Sequence, residues 1–218
     1  MIDFTAQKRK GIIFLIDAPS GTGKGTVIKE LMKKDNSLKF SVSATTRTPR
    51  EGEVDGVDYY FISDEQYDKY VKEDAFYEYV DSQYGKRYGT LRREVDKFLD
   101  NGQDVIFDID WMGARQMKPK VAGNLVTVYM LPPSIAEVKK RLQNRGTDSD
   151  EVINSRMAMV MDKISHWNEF DYVIVNDSLP KTVSEIENII ACERMKRQRN
   201  ETLINDFVAA LTEEFEAK

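Results

Sequence analysis

Cysteine and histidine are almost missing from this chain. A single cysteine, Cys192, excludes an intrachain disulfide and fits a reducing compartment. A single histidine, His166, cannot build a zinc site with that one cysteine, and no Ser–His triad is suggested around it. In "ISHWNEF" it reads as an ordinary helix-end residue. Long apolar runs are missing as well. None approaches membrane-spanning length and the N-terminus has no signal-peptide core, so a cytoplasmic protein with no membrane partner is expected. Nor is there an excess of positive charge. The net charge of −5, from 32 basic and 37 acidic residues, argues against a general nucleic-acid binder, and Lys8-Arg9-Lys10 reads as a solvated N-terminal face. Internal repeats and low-complexity linkers are absent. What remains is a chain of 218 residues, 41% hydrophobic, long enough for one well-buried core with subdomains inserted into it.

Short apolar segments recur along it: Ile12 to Ile16, "FSVS" (Phe40 to Ser43), "VIFDI" (Val105 to Ile109), "LVTVYML" (Leu125 to Leu131) and "YVIV" (Tyr172 to Val175). They read as buried strands with helical patterns between several of them, which predicts an α/β fold on a mostly parallel sheet. Ligands of such sheets collect at the carboxyl ends of the strands. The loop after Ile16, Asp108/Asp110 and Asn176/Asp177 all fall there. Residues 45–93, rich in Tyr, Gly, Arg and acids, read as an insertion of hairpins and one helix. Residues 134–169 are charged and helical, broken at "NRGTDSDE", where Gly146 suits a helix end and Asp148 with Glu151 resembles a capping box. Such a pair suits a moving lid or a plain helical hairpin. Leu203, Ile204, Phe207, Val208, Leu211 and Phe215 mark an amphipathic C-terminal helix, expected to pack on the core, with a dimer surface as the alternative.

The stretch "LIDAPSGTGKGTVIKEL" (Leu15 to Leu31) runs from strand through Gly21, Gly23 and Gly25 into a helix whose Val27, Ile28, Leu31 and Met32 share one face. Strand, glycine loop, lysine and helix are the context of a phosphate-binding loop. Backbone N–H groups turn inward, the helix N-terminus adds partial positive charge, and Lys24 adds a full one. Two letters depart from G-x-x-x-x-G-K-[ST]. Ala18 replaces the first glycine, which matters little if its φ stays negative. Gly25 replaces the hydroxyl residue that normally ligates Mg²⁺. Either Thr26 supplies the hydroxyl, or the ion is held through water and substrate phosphates. The "GKGT" spelling resembles that of adenylate kinases.

A second anion site is suggested by Arg47 and Arg50, three residues apart around Pro49, whose guanidinium forks can close on one phosphate. Tyr59 and Tyr88 can each add a phenolic O–H. Taken alone, the arginine pair is better read as a solvated loop. Downstream, the Glu78 carboxylate can accept two hydrogen bonds from the N1–H and N2 amino edge of guanine, donors that adenine lacks. Hydroxyls of Ser43 and Thr90, with Asp110, complete an edge-reading pocket.

The chain resembles the guanylate kinase family from about Gly11 to Glu193. The resemblance is carried in order by "APSGTGKGT", "SVSATTRTPREGEVDGVDYYF", "YGKRYGT", "GQDVIFDIDWMGA", "RLQNRGTDSDEVINSRM" and "FDYVIVND". It implies a P-loop NTPase-type parallel sheet core (1–44, 94–133, 170–218) flanked by helices, a mixed α+β GMP-binding insertion (45–93) and a helical lid (134–169). It implies ATP phosphates on Ala18, Pro19, Ser20, Gly21, Thr22, Gly23, Lys24, Gly25 and Thr26, with adenine near Asn176. It places GMP among Ser43, Arg47, Arg50, Tyr59, Glu78, Tyr88, Thr90 and Asp110. Lid arginines Arg145 and Arg156 close over the phosphates, with Arg141 assisting, and Asp108 lies near the phosphates and metal. The implied activity is reversible, Mg²⁺-dependent transfer of the ATP γ-phosphoryl to GMP, with dGMP as a second acceptor and no obligate protein partner. Met112 stands where the family often carries Gln. "DSQYGKRYGT" is one residue longer than in some relatives, so no role attaches to Tyr84, Lys86 or Arg87.

The acceptor is already a phosphate anion, so no protein general base is called for, and closure of insertion and lid would exclude water as a rival acceptor. Related domains that bind phosphopeptides without phosphotransfer typically lose the loop glycines and lysine, and Gly21, Gly23 and Lys24 are intact here. Kinases of other nucleoside monophosphates are the closer rival, and Glu78 with Ser43 argues against them.

Overall fold

The computed structural model describes residues 9–81, 85–121, 123–144 and 150–217. Five strands form the main sheet: β1 (Ile13–Asp17), β2 (Leu38–Phe40), β7 (Asp104–Phe107), β8 (Leu125–Leu131) and β9 (Tyr172–Val175). Their order is β2-β7-β1-β8-β9 and every pairing is parallel. All five residues of β1 are buried, as a central strand covered on both faces requires. On one face Phe14 and Ile16 meet Val27 and Leu31 of α1 (Lys24–Lys34) and Val183, Ile186 and Ile190 of α8 (Leu179–Met195). On the other, Ile13 and Leu15 meet Val95 and Leu99 of α3 (Arg92–Asp100) and Ala114 and Met117 of α4 (Trp111–Met117).

Segments 125–131 and 172–175 form strands with the bounds their composition predicts. Two expectations need correction. "FSVS" is not the buried strand: β2 lies two residues earlier, Phe40 is exposed, and pairing with β7 continues only as far as the Ser41 N–H, which donates to the Ile106 carbonyl at 2.9 Å. β9 is an edge strand, so Val173 and Val175 alternate outward and are exposed rather than buried.

The insertion is a second sheet, in the order β4-β3-β6-β5, built from β3 (Ala44–Thr45), β4 (Tyr60–Phe61), β5 (Phe76–Asp81) and β6 (Arg87–Leu91). It carries α2 (Asp64–Lys72), capped by Ser63, whose Oγ accepts from the Gln66 N–H at 3.2 Å. Tyr67, Tyr70, Phe76 and Leu91 give it a core of its own. The charged region 134–169 folds as α5 (Ile135–Asn144), α6 (Asp150–Ala158) and α7 (Val160–Ser165) around Val138, Leu142, Ile153 and Val160. The proposed helix break at Gly146 and the cap at Asp148 lie outside the described residues. The far end of this unit is pinned to α4: His166 stacks on Trp111 at 3.8 Å, and the Arg115 fork holds Glu169 through two 2.7 Å bonds.

Arg9 is not a solvated surface charge. It forms two 2.7 Å bonds to Asp104, a fully buried carboxylate that also accepts from Arg194 at 2.7 Å and from the Ile12 N–H at 2.8 Å. This network ties the N-terminal segment and α8 to the start of β7. Asp104→Ala would leave Arg9 and Arg194 facing each other across a buried gap. It should cost about 3–5 kcal/mol of unfolding free energy in urea titrations, whereas loss of an exposed pair such as Lys33–Glu30 should cost under about 1 kcal/mol.

The C-terminal helix also departs from expectation. α9 (Glu201–Glu216) forms with the predicted apolar periodicity but has no buried residue. Leu203, Phe207 and Ala210 are partly covered, while the stripe beside them faces outward.

Candidate functional site

The carboxyl ends of β1 and β7 and one face of the insertion sheet enclose a cavity of about 330 Å³. Its wall includes Lys24, Asp17 and Asp108 on one side and Ser43, Tyr59, Glu78 and Tyr88 on the other. Between them lie Asp110, Met112 and Gln116 from the α4 end and Lys163 from α7. The predicted phosphate-loop lysine and the predicted guanine-reading carboxylate therefore share one chamber.

The loop itself is tightly held. Gly23 has φ of 101°, and a Cβ there would stand 2.9 Å from Asn176 Nδ2, so both conformation and space demand glycine. Ala18 keeps a negative φ, as its side chain requires. Gly25 is different: a Cβ at that position would meet nothing within 4 Å, so the missing hydroxyl is a chemical departure and not a steric one. Thr22 is buried, and its carbonyl accepts from Asn176 Nδ2 at 2.7 Å and from Arg141 Nη1 at 2.9 Å. Asn176 and Arg141 thus brace the loop backbone from the ends of β9 and α5.

Lys24 Nζ lies 2.6 Å from Asp108 Oδ1 and 3.6 Å from Asp17 Oδ1. Asp17 was not singled out from sequence, although an acid closing the apolar run "IFLID" is a readable signal. Burial pushes its carboxyl up, while Lys24 and the Ala18 N–H, at 2.7 Å, pull it down. Thr26 is exposed on the first turn of α1. Among the described residues no cluster of three His, Cys, Asp or Glu side chains makes a metal cage. A hydroxyl and scattered carboxylates are the hard oxygen donors that suit Mg²⁺ arriving with a nucleotide and keeping its waters, so the residues present fit that ion.

On the other wall, Glu78 is 6% exposed, and its Oε1 accepts from Thr90 Oγ1 at 2.7 Å. Thr90 Oγ1 is in turn 3.4 Å from Ser43 Oγ. Burial raises the Glu78 carboxyl to about 7, with Asp110 adding to the rise and Thr90 opposing it. Tyr59 and Tyr88 stand with ring centroids 6.0 Å apart. Asp110 lines the cavity but also caps α4, its Oδ1 accepting from the Met112 and Gly113 N–H groups at 3.1 and 3.4 Å. Arg47 is not solvated. Its fork is closed on Glu53 at 2.8 and 2.9 Å, it lies over the Tyr59 ring, and Arg47 with the Arg50 N–H holds the Glu53 carboxyl down at about 2. Arg50 is exposed beside it.

The structure does not bring every predicted residue together. Arg156 is half-buried in the last turn of α6 and off the cavity wall, and Arg145 lies outside the described residues. Gln116 and Lys163 join the wall without having been anticipated. Gln116 sits one helical turn beyond Met112 and bonds both the N–H and the carbonyl of Tyr79, at 3.1 and 2.9 Å. No sequence signal marks Lys163, which reaches the wall only through the fold of α7.

The family model described as guanylate kinase matches residues 8–193. The chain belongs to the guanylate kinase family. It is 46% identical over 196 residues to a guanylate kinase of Zymomonas mobilis, covering 90% of each chain. Over 189 residues it is 48% identical to one of Rickettsia prowazekii, covering 87% of this chain and 95% of that one. The crystal structure of guanylate kinase from Anaplasma phagocytophilum superposes with a TM-score of 0.69 at 31% identity, covering 88% and 90% of the two chains. The family is one of nucleoside monophosphate kinases, its activity is phosphorylation of GMP by ATP, and the five-stranded parallel sheet seen here is its P-loop NTPase-type core.

Proposed function

We propose that the chain transfers the γ-phosphoryl of ATP reversibly to GMP, and to dGMP, within the cavity that Lys24 and Glu78 share. That shared cavity is the observation that carries the reading. In this division of labour the core (1–44, 94–133, 170–218) holds the donor, the insertion (45–93) holds the acceptor, and the helical unit 134–169 closes over both.

The loop from Ala18 to Thr26 would take the donor phosphates on its backbone N–H groups and the N-terminus of α1. Lys24, parked on Asp108 and Asp17 in the structure, would exchange those carboxylates for phosphate oxygens. Thr26 and Asp108 would hold Mg²⁺ together with water and the phosphates, and the bound ion would neutralise charge on the transferring group. Arg47 and Arg50 would screen the acceptor phosphate from the donor, with Tyr59 and Tyr88 adding O–H donors. For Arg47 this requires sharing or releasing Glu53, which occupies its fork. Glu78, oriented by Thr90 and Ser43, would accept from the guanine N1–H and N2 edge. The acceptor phosphate is itself the nucleophile, so catalysis rests on alignment and charge neutralisation. We place the reaction in the cytoplasm, with small molecules as its partners.

A coupled ADP-release assay with Mg-ATP, offering GMP, dGMP, AMP, CMP and UMP separately, tests this reading. ADP production with the two guanine nucleotides alone is expected. Comparable turnover of AMP or UMP would remove Glu78 from its role, and GMP binding without turnover would overturn the phosphotransfer.

A further inference from the structure

We infer, on the reading of the site proposed above, that Lys163 is a further catalytic residue of the phosphoryl transfer, its ammonium contacting the oxygens of the γ-phosphoryl as that group passes from donor to acceptor. The described wall of the cavity carries four carboxylates, Asp17, Glu78, Asp108 and Asp110, and two lysines, Lys24 and Lys163. Two nucleotides would bring further negative charge into that chamber, so the site needs cations that are free to meet phosphate. Lys24 is engaged by Asp108 and Asp17, and the Arg47 fork by Glu53. Lys163 is half-buried, and among the described residues its ammonium has neither an ion-pair nor a hydrogen-bond partner. A lysine that serves only solubility keeps its charged end in open water. Lys163 instead lines the cavity with its charge uncommitted.

The backbone holds this lysine in place. Its carbonyl accepts from the buried Tyr129 hydroxyl at 2.6 Å and from the His166 N–H at 3.3 Å, and His166 stacks on Trp111 of α4. Tyr129 stands opposite Asp17 in the register of β1 and β8, so Lys163 is anchored beside the end of β1, where the phosphate loop begins. Burial pushes the Asp17 carboxyl up, and Lys24 and, more weakly, Lys163 pull it down, which puts both cations at the same end of the cavity. Asp110 acts on Asp17 and on Glu78 alike, and so stands between that end and the guanine-facing wall. Arg156, seven residues earlier, is off the wall, so Lys163 is the described residue of the helical unit 134–169 that already lines the site. In the transfer an acceptor-phosphate oxygen bonds to the γ-phosphorus while the bond from that phosphorus to the β–γ bridging oxygen breaks, its electron pair leaving with ADP. No proton has to move, and the non-bridging γ-oxygens stay charged throughout. An ammonium mounted on the core and free of partners stabilises that charge without reorganising.

The experiment compares the full-length wild type with Lys163→Met and Lys163→Arg. Methionine keeps the stem and removes the charge, and no side-chain bond within the described chain is lost, so a wild-type circular dichroism spectrum is expected. Lys163→Met should lower kcat for GMP phosphorylation about 10²-fold with the KM for GMP within about threefold. Calorimetry supplies a readout that a merely structural role would not move. Adenosine joined to guanosine through five phosphates spans the position of the transferring group, whereas GMP and Mg-ADP, titrated separately, do not reach it. Lys163→Met should weaken the pentaphosphate at least about tenfold and leave GMP and Mg-ADP within about threefold. Lys163→Arg, which keeps the charge, should recover part of both losses. Turnover by Lys163→Met within about threefold of an active wild type would overturn the inference and leave the proposed function standing. Equal weakening of the pentaphosphate and of GMP or Mg-ADP would also overturn it, by making Lys163 a holder of one substrate. A wild type inert towards ATP and GMP would remove the proposed function and this role with it.

Discussion

Lys24→Met should lower kcat for GMP phosphorylation by about 10²–10³-fold while changing the KM for GMP by less than about threefold. The asymmetry follows from position. Lys24 opens α1 at the end of the phosphate loop, and its ammonium lies against Asp108 and Asp17, on the opposite wall from Glu78 and Tyr59. In the proposed function a cation there would meet the donor phosphates, where negative charge redistributes as the γ-phosphoryl leaves, and would not touch the guanine. Methionine preserves the length and apolar stem of the side chain and removes only the charge. Steady-state kinetics with calorimetric titration of GMP separates the two effects. Equal losses in turnover and GMP affinity would place Lys24 on the acceptor. A circular dichroism spectrum matching wild type is part of the measurement, because Asp17 is buried and loses its cation in this variant.

The same site shows which parts of the molecule are legible in a sequence. The strand, glycine loop and helix around Lys24 are set by local rules: an apolar run, glycines where φ turns positive, and a helical face of Val27, Ile28 and Leu31. Such features survive whatever surrounds them. The edge position of β9 was not readable, because "YVIV" has the composition of a covered strand and its neighbours in the sheet come from elsewhere in the chain. Long-range ion pairing was equally hidden. Nothing near Arg9 announces Asp104, and Arg47 and Arg50 read as one phosphate clamp until Glu53 is seen filling the first of them. The chemistry of Glu78 suggests a guanine partner, but its burial and its contact with Thr90 depend on the register of β5 and β6. For α9 the period of the apolar residues gave the helix, while what covers that helix is a question of surfaces that no local pattern answers.

Glu78→Gln should raise the KM for GMP about 10²-fold and at the same time stabilise the folded chain. An amide turns one N–H group towards the N1–H and N2 donors of guanine, so one acceptor is lost and one donor is left facing another donor. The stability gain comes from burial. In the free protein the carboxyl titrates near 7, against an ordinary value of 4.5, so ionising it inside the fold is penalised. Between pH 4.5 and 7 the folded state holds more protons than the unfolded one, and stability therefore falls as pH rises through that window. The full penalty, about 3 kcal/mol at most, is present above pH 7, where the variant should show its largest gain in Tm. Below pH 4.5 the two proteins should converge. Function carries the opposite sign. In the proposed role guanine needs the carboxylate, so GMP binding to wild type should weaken as pH drops from 7 towards 6, and binding in that range should release a proton, measurable by calorimetry in buffers of different ionisation enthalpy. The Glu78→Gln profile retains the ionisation of the nucleotide's own phosphate but lacks that of Glu78, so the difference between the two profiles isolates the side chain. Parallel profiles, with no gain in Tm at pH 8, would mean that Glu78 is ionised throughout and held by partners other than Thr90. The pocket would then be poised for GMP at every physiological pH, not tuned near neutrality by the burial that makes it selective.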